Sequence, residues 1–226
     1  MKSLKSRLKK HEVTPNTSDW SKYDDRLLKA VEKGDVDKVT SVLAKRGVTP
    51  TKLDVEGRSA FHVAAAKGDV PCINAMLSHG VDVTAIDAAG RSVLHLAAKN
   101  GQSLCLQRLL QQDCPVDTID HQGRSALHDA AVAGCASCVK LLLDHGAVVN
   151  VKDGDGGTPL LLAVQACHPV ACRLLLDRGA DVNSRDKESR SEPIPVKAWT
   201  QCLHYAQLSK NPEVLTLIRA AVEKAG

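Results

Sequence analysis

Apolar and polar positions along this chain follow a helical spacing that is interrupted and restarted every 33 residues. Val139-Lys-Leu-Leu-Leu-Asp144 places its apolar side chains at helical intervals, which predicts an amphipathic helix with one buried face. Ahead of it lies a shorter apolar stretch built on Ala130 and Ala131, and the same pair recurs at Ala97 and Ala98 and at Ala64 and Ala65. Small side chains there keep the first helix of each unit slim, so that the second packs close against it. The second helices are predicted to end at Gly80, Gly146 and Gly179, residues suited to a left-handed C-terminal turn. Each period therefore reads as two short antiparallel helices, and neither could bury its apolar face without a neighbouring unit.

The connecting stretch is as regular as the helices. Asp120-His-Gln-Gly-Arg-Ser-Ala-Leu-His-Asp-Ala-Ala131 has counterparts starting at Asp54, Asp87 and Asp153. Gly57, Gly90, Gly123 and Gly156 fall in a turn where φ > 0 is expected. Ser59, Ser92, Ser125 and Thr158 stand where a helix begins and can cap its free N–H groups. His62, His95 and His128 are placed to bond that hydroxyl and a backbone carbonyl. A period of 33 with a Thr-Pro-Leu-His-like core resembles the ankyrin repeat. The resemblance implies an all-α repeat, an ankyrin-repeat solenoid of helix-turn-helix units linked by short β-hairpin loops. Its expected divisions are a tail (1–19), an N-terminal capping repeat (20–53) and four full repeats (54–86, 87–119, 120–152 and 153–185). An interrupted fifth repeat (186–200) and a C-terminal capping half-repeat (201–226) follow.

The pattern breaks after Asp186. Ser189 stands where Gly is expected, and Glu192-Pro-Ile-Pro195 cannot continue a helix. A block of the same kind returns at Gln201-Cys-Leu-His204-Tyr-Ala206, away from the position the period sets, which reads as the loss of most of one repeat. At the other end Trp20 and Tyr23 are expected to cover the stack, and Val36 to Lys45 to form the outer helix of the cap.

Composition narrows the rest. Five aromatic residues leave a core of Leu, Val and Ala. No apolar run reaches the roughly 18–20 residues that span a bilayer, and Met1-Lys-Ser-Leu-Lys lacks the apolar segment of a signal peptide. Cys72, Cys105 and Cys138 recur at the same period on the apolar side of second helices, which fits buried free thiols and a cytoplasmic protein. A net charge of +4 and few aromatics give no reason to expect nucleic-acid binding. The Ser59/His62, Ser92/His95 and Ser125/His128 pairs look like nucleophile and base. Three copies at a structural period, with no acid completing any set, argue against catalysis. Cys135, Cys138, Cys167, His168 and Cys172 belong to two different repeats, so zinc is not expected, and no cofactor motif appears.

Two stretches carry a narrower resemblance. Met1-Lys-Ser-Leu-Lys-Ser-Arg-Leu8 and Asp19-Trp-Ser-Lys-Tyr-Asp-Asp-Arg-Leu-Leu28, with Lys52 to Ser59 and Asp181 to Lys187, resemble the ankycorbin-like family. What that implies is a cytoplasmic scaffold associated with actin and membrane, in one branch linked to apoptosis regulation. Family members continue into a long coiled coil; no heptad run occurs here, so a monomer is expected. The expected binding row is Arg58, Arg91, Arg124 and Arg190, interrupted at Gly157 and suited to a protein partner with an acidic extended segment. The alternative is a peripheral membrane adaptor, in which Lys2, Leu4, Lys5, Arg7, Leu8, Lys9 and Lys10 meet an anionic membrane surface. Gly179-Ala-Asp-Val-Asn183 resembles the site that the cytosolic asparaginyl hydroxylase uses on ankyrin repeats, which makes Asn183 a candidate modification site.

Overall fold

The computed structural model describes residues 20–187 and 201–225. The basic segment Lys2 to Lys10, the prolines at 193 and 195, and Arg190 lie outside the described residues. Within them the chain forms helices in antiparallel pairs: α1 (Lys22–Lys33) with α2 (Val36–Leu43), α3 (Ala60–Lys67) with α4 (Val70–Ser78), and α5 (Val93–Lys99) with α6 (Ser103–Leu110). Next come α7 (Ala126–Ala133) with α8 (Ala136–Asp144), α9 (Pro159–Gln165) with α10 (Pro169–Asp177), and α11 (Gln201–Leu208) with α12 (Pro212–Ala225). First helices stack on first helices and second on second, so each pair touches only its neighbours in sequence.

Burial follows the apolar pattern. Ala64, Ala65, Ala97, Ala98, Ala130 and Ala131 are fully buried between first helices, and Leu106, Leu109, Val139 and Leu142 are fully buried along the second. Because alanine leaves little between them, first helices approach one another more extensively than second helices do. The stack therefore curves, with the first helices and hairpins on the inner, concave side. No long strand forms among the described residues; each hairpin closes through backbone bonds such as Asp87 N–H to the Arg91 carbonyl, and isolated antiparallel bridges join Ile86 to Ser92 and Ile119 to Ser125.

Consecutive hairpins also bond to one another. Ala88 N–H donates to the Gly57 carbonyl, His121 N–H to that of Ala89, Gly154 N–H to that of Gln122, and Lys187 N–H to that of Asp155. Gly123 serves this ladder twice over. Its φ is +74°, and a Cβ there would stand 2.8 Å from the backbone nitrogen of Gly154.

At the N-terminal end Ser21 and Asp24 form a capping box on α1, and Trp20 and Tyr23 pack against the core. The other end departs from the period. Extended by 33 from Leu161, the period puts the histidine-like position at 194, and His204 stands ten later. Yet α11 packs directly on α9 and α12 on α10, with Asp186 N–H donating to Gln201 Oε1 at 2.8 Å and the Tyr205 hydroxyl to Asp186 Oδ2 at 3.1 Å. These contacts set α11 and α12 as a sixth helix pair directly on the fifth, α9 and α10.

Candidate functional site

The arginine row is built by the aspartate that opens each hairpin. Asp87 Oδ1 accepts the N–H groups of Ala89 and Arg91, both at 2.9 Å, which fixes the turn. Its Oδ2 accepts from the Arg91 guanidinium, through Nε at 2.7 Å and through a terminal nitrogen at 2.6 Å. Asp54 does the same for Arg58, whose Nε also lies 3.1 Å from Glu56. In the fourth repeat Gly157 supplies no guanidinium, and Asp153 instead draws Arg124 across from the third, at 3.7 Å. Three arginines thus line one edge of successive first helices, each against a carboxylate. In each pair it is the cation that faces solvent: the arginine side chains are 39%, 30% and 35% exposed, their carboxylate partners 8%, 1% and 4%. The repeated aspartate was visible in the sequence at period 33, but its part in aiming the arginine was not.

Beside this row lies a cavity of about 370 Å³, lined by Arg91, Lys99, Asp120, His121, Arg124 and Asp129. Asp129 is the residue that sequence reasoning missed. Its equivalents Val63, Leu96 and Leu162 are apolar, yet it is a carboxylate only 8% exposed. Among the described residues its carboxylate makes no hydrogen bond or ion pair, and burial, with Asp120 nearby, raises its pKa while His95, Lys99 and Arg124 pull it back. The signal in the sequence was an acid on an apolar row.

The serine–histidine pairs are structural. His62 Nε2 faces the Arg91 carbonyl at 3.0 Å, which only accepts, so Nε2 carries the proton and Nδ1 receives the Ser59 hydroxyl at 2.7 Å. His95 meets Arg124 O at 2.8 Å and His128 meets Gly157 O at 3.1 Å, while Ser92 N–H and Ser125 N–H donate to their Nδ1 atoms. These imidazoles tie each first helix to the next hairpin. Both ring nitrogens are occupied, and the hydroxyls are sealed from solvent. Burial lowers the pKa of His62 and of His128.

Asn150 and Asn183 sit alike in sequence but not in bonding. The Asn150 amide bridges to the next repeat, donating to the Gly179 carbonyl at 3.1 Å and accepting Asp181 N–H at 2.8 Å. Asn183 is exposed, and among the described residues its side-chain amide bonds to nothing. The described residues bring together no group of three or more side chains able to hold a metal, and they contain no helix long and apolar enough to cross a membrane.

Comparison with known proteins gives a family model described as ankyrin repeats, in three copies, matching residues 27–120 and 94–186. The human uveal autoantigen with coiled-coil domains and ankyrin repeats is 57% identical over 90 residues, covering 35% of this chain and 6% of that protein. Its mouse counterpart is 60% identical over 92 residues, with the same shares. The human ankyrin repeat domain-containing protein 35 is 44% identical over 60 residues, 26% of this chain and 6% of its own length. The matched segments are thus a small part of much longer relatives.

Proposed function

Because this chain belongs to the ankyrin-repeat family, we propose that it is a protein-binding scaffold whose concave face captures an extended acidic segment of its partner. The observation that carries this reading is the orientation of the ion pairs, with carboxylates inward and the guanidiniums of Arg58, Arg91 and Arg124 outward. An extended strand with acidic side chains at intervals fits a row spaced by one repeat better than a compact phosphate does, since a phosphate needs donors converging on a point. Asp129 adds an acceptor beneath the row for a backbone N–H of that strand, a group that otherwise goes unmet in a partly buried groove.

Replacing Arg91 and Arg124 by Gln tests this. Reversal to Glu would set a second carboxylate against the buried Asp87, whereas Gln leaves the hairpin bonds to Asp87 Oδ1 intact. Losing the charged contacts is expected to cost about 2 kcal/mol of stability. Binding of a fluorescent Glu-rich peptide to the folded double variant should weaken, mostly through slower association, and wild-type binding should weaken with salt. Unchanged affinity in both comparisons would put the partner on another surface.

The alternative, membrane targeting by the basic segment at Lys2 to Lys10, rests on its sequence and is separated by flotation with anionic and neutral vesicles. Cytoplasmic placement at the actin cortex and a part in apoptosis regulation belong to the proposal through the ankycorbin-like resemblance, and imaging of the tagged chain with filament stains checks the placement. Modification of Asn183 fits its exposure and unbonded amide, and a single added oxygen on that residue in cell-derived protein is the sign of it.

A further inference from the structure

Cys135-Ala-Ser-Cys138 opens α8, on the edge of the stack away from the hairpins. In α2 and α4 the N-cap aspartates, Asp35 and Asp69, turn back to accept an N–H of their own first turn, whereas Gln102 of α6 and His168 of α10 make no such bond. In α4 the N-cap and third helical positions are Asp69 and Cys72, and in α6 they are Gln102 and Cys105. A buried cysteine at the third position is therefore ordinary packing in this array. In α8 the cap is a cysteine as well, and the capping geometry that aims Asp69 at Cys72 N–H here aims a sulfur. Cys135 Sγ accepts Cys138 N–H at 3.4 Å and stands 2.9 Å from Cys138 Sγ.

The two thiols differ in access. Cys138 is fully buried, while Cys135 is partly exposed at the turn, 3.8 Å from the Gly101 carbonyl. Elsewhere Cys72, Cys105, Cys172 and Cys202 are buried, their thiols pushed up to about 12 by burial, which suits inert packing. An outer sulfur at a helix N-terminus, backed by an inner sulfur in contact with it, is the arrangement that thiol–disulfide exchange uses.

We propose that Cys135 and Cys138 are a thiol–disulfide exchange site for small organic disulfides of the glutathione type. The Cys135 thiolate attacks one sulfur of the disulfide, forms a mixed disulfide and releases one thiolate. The Cys138 sulfur then attacks Cys135 Sγ and expels the second thiolate, which takes up the Cys138 proton. The protein pair loses two electrons and two protons, and the small disulfide is reduced to two thiols. Burial holds the Cys138 thiol protonated, and the hydrogen bond with Cys135 adds to this. That second hold is released once Cys135 enters the mixed disulfide. Closure to a bond of about 2.05 Å asks the sulfurs to move by about 0.9 Å. The disulfide would bridge the cap and first turn of α8, leaving the arginine row on the other edge untouched.

The experiment treats the full chain with oxidised glutathione, alkylates remaining thiols and maps them by mass. In the wild type, labelling of Cys135 and Cys138 should fall together by at least about tenfold, with two hydrogens lost and no glutathione retained. Cys138→Ala should trap one glutathione on Cys135, and Cys135→Ser should show neither product. Wild-type chain in which both thiols stay free, or in which Cys135 keeps glutathione without closing, would overturn the proposal. The wild-type map decides the matter even if a variant fails to fold.

Discussion

Asp129 occupies a row that is otherwise Val63, Leu96 and Leu162, and among the described residues its nearly buried carboxylate has no hydrogen-bond or ion-pair partner. Asp129→Leu should therefore stabilise the array, by about 1–2 kcal/mol, while weakening capture of the acidic peptide. Urea midpoints and peptide titration check the two signs together. Burial raises this carboxyl's pKa above its ordinary 3.8, so its penalty grows as pH rises above that value and the gain from Leu should shrink toward pH 4. The histidines run the other way. Folded His62 and His128 hold their pKa values below the ordinary 6.5, so the unfolded chain binds protons first on acidification. Their contribution is complete above about 6.5 and is lost as pH falls below it. Unfolding midpoints between pH 7.5 and 5.5, measured in Asp129→Leu to keep the two titrations apart, should decline with acid. A flat profile would mean that these imidazoles are protonated in place.

Helices, caps and turns were largely legible from the chain. Ser59 and Ser125 head helices, His62 bonds a hydroxyl and a carbonyl, and Gly57 and Gly123 have positive φ, as their places in the period imply. The hairpin ladder was not legible, because the contact between Gly123 and Gly154 depends on how far neighbouring units approach. Gly123→Ala should accordingly cost about 2–3 kcal/mol, combining a left-handed φ with a backbone clash. A loss below about 1 kcal/mol, the scale of a φ effect alone, would mean that the hairpins can move apart. The candidate site was half visible. Spacing alone picked out Arg58, Arg91 and Arg124, but pairing across a turn of four residues for the first two, and across repeats to Asp153 for Arg124, decides which end of each ion pair meets solvent. The contact of Cys135 with Cys138 likewise follows from cap geometry, and reading the segment for metal-ligand spacing passed over it.

As a whole the molecule is a curved stack in which each layer is held by its neighbours, through alanine-lined first helices, histidine bonds to the next hairpin and the ladder of hairpin tips. Such a stack leaves two unlike surfaces. The outer helices carry leucine-rich faces turned inward, and the concave side presents outward-facing guanidiniums with the nearly buried Asp129 carboxylate beside them. The sixth helix pair, α11 and α12, is tied to this stack through Gln201 and Tyr205 on Asp186. The claim that function lies on the concave side is tested most directly by titrating an extended Glu-rich peptide into isotope-labelled protein and following every backbone amide. Shifts should gather at residues 54–58, 87–91 and 120–124 and along α5 and α7, fade with added salt, and leave α4, α6 and α8 unmoved. Shifts centred on the second helices, or none at any peptide concentration, would contradict the account.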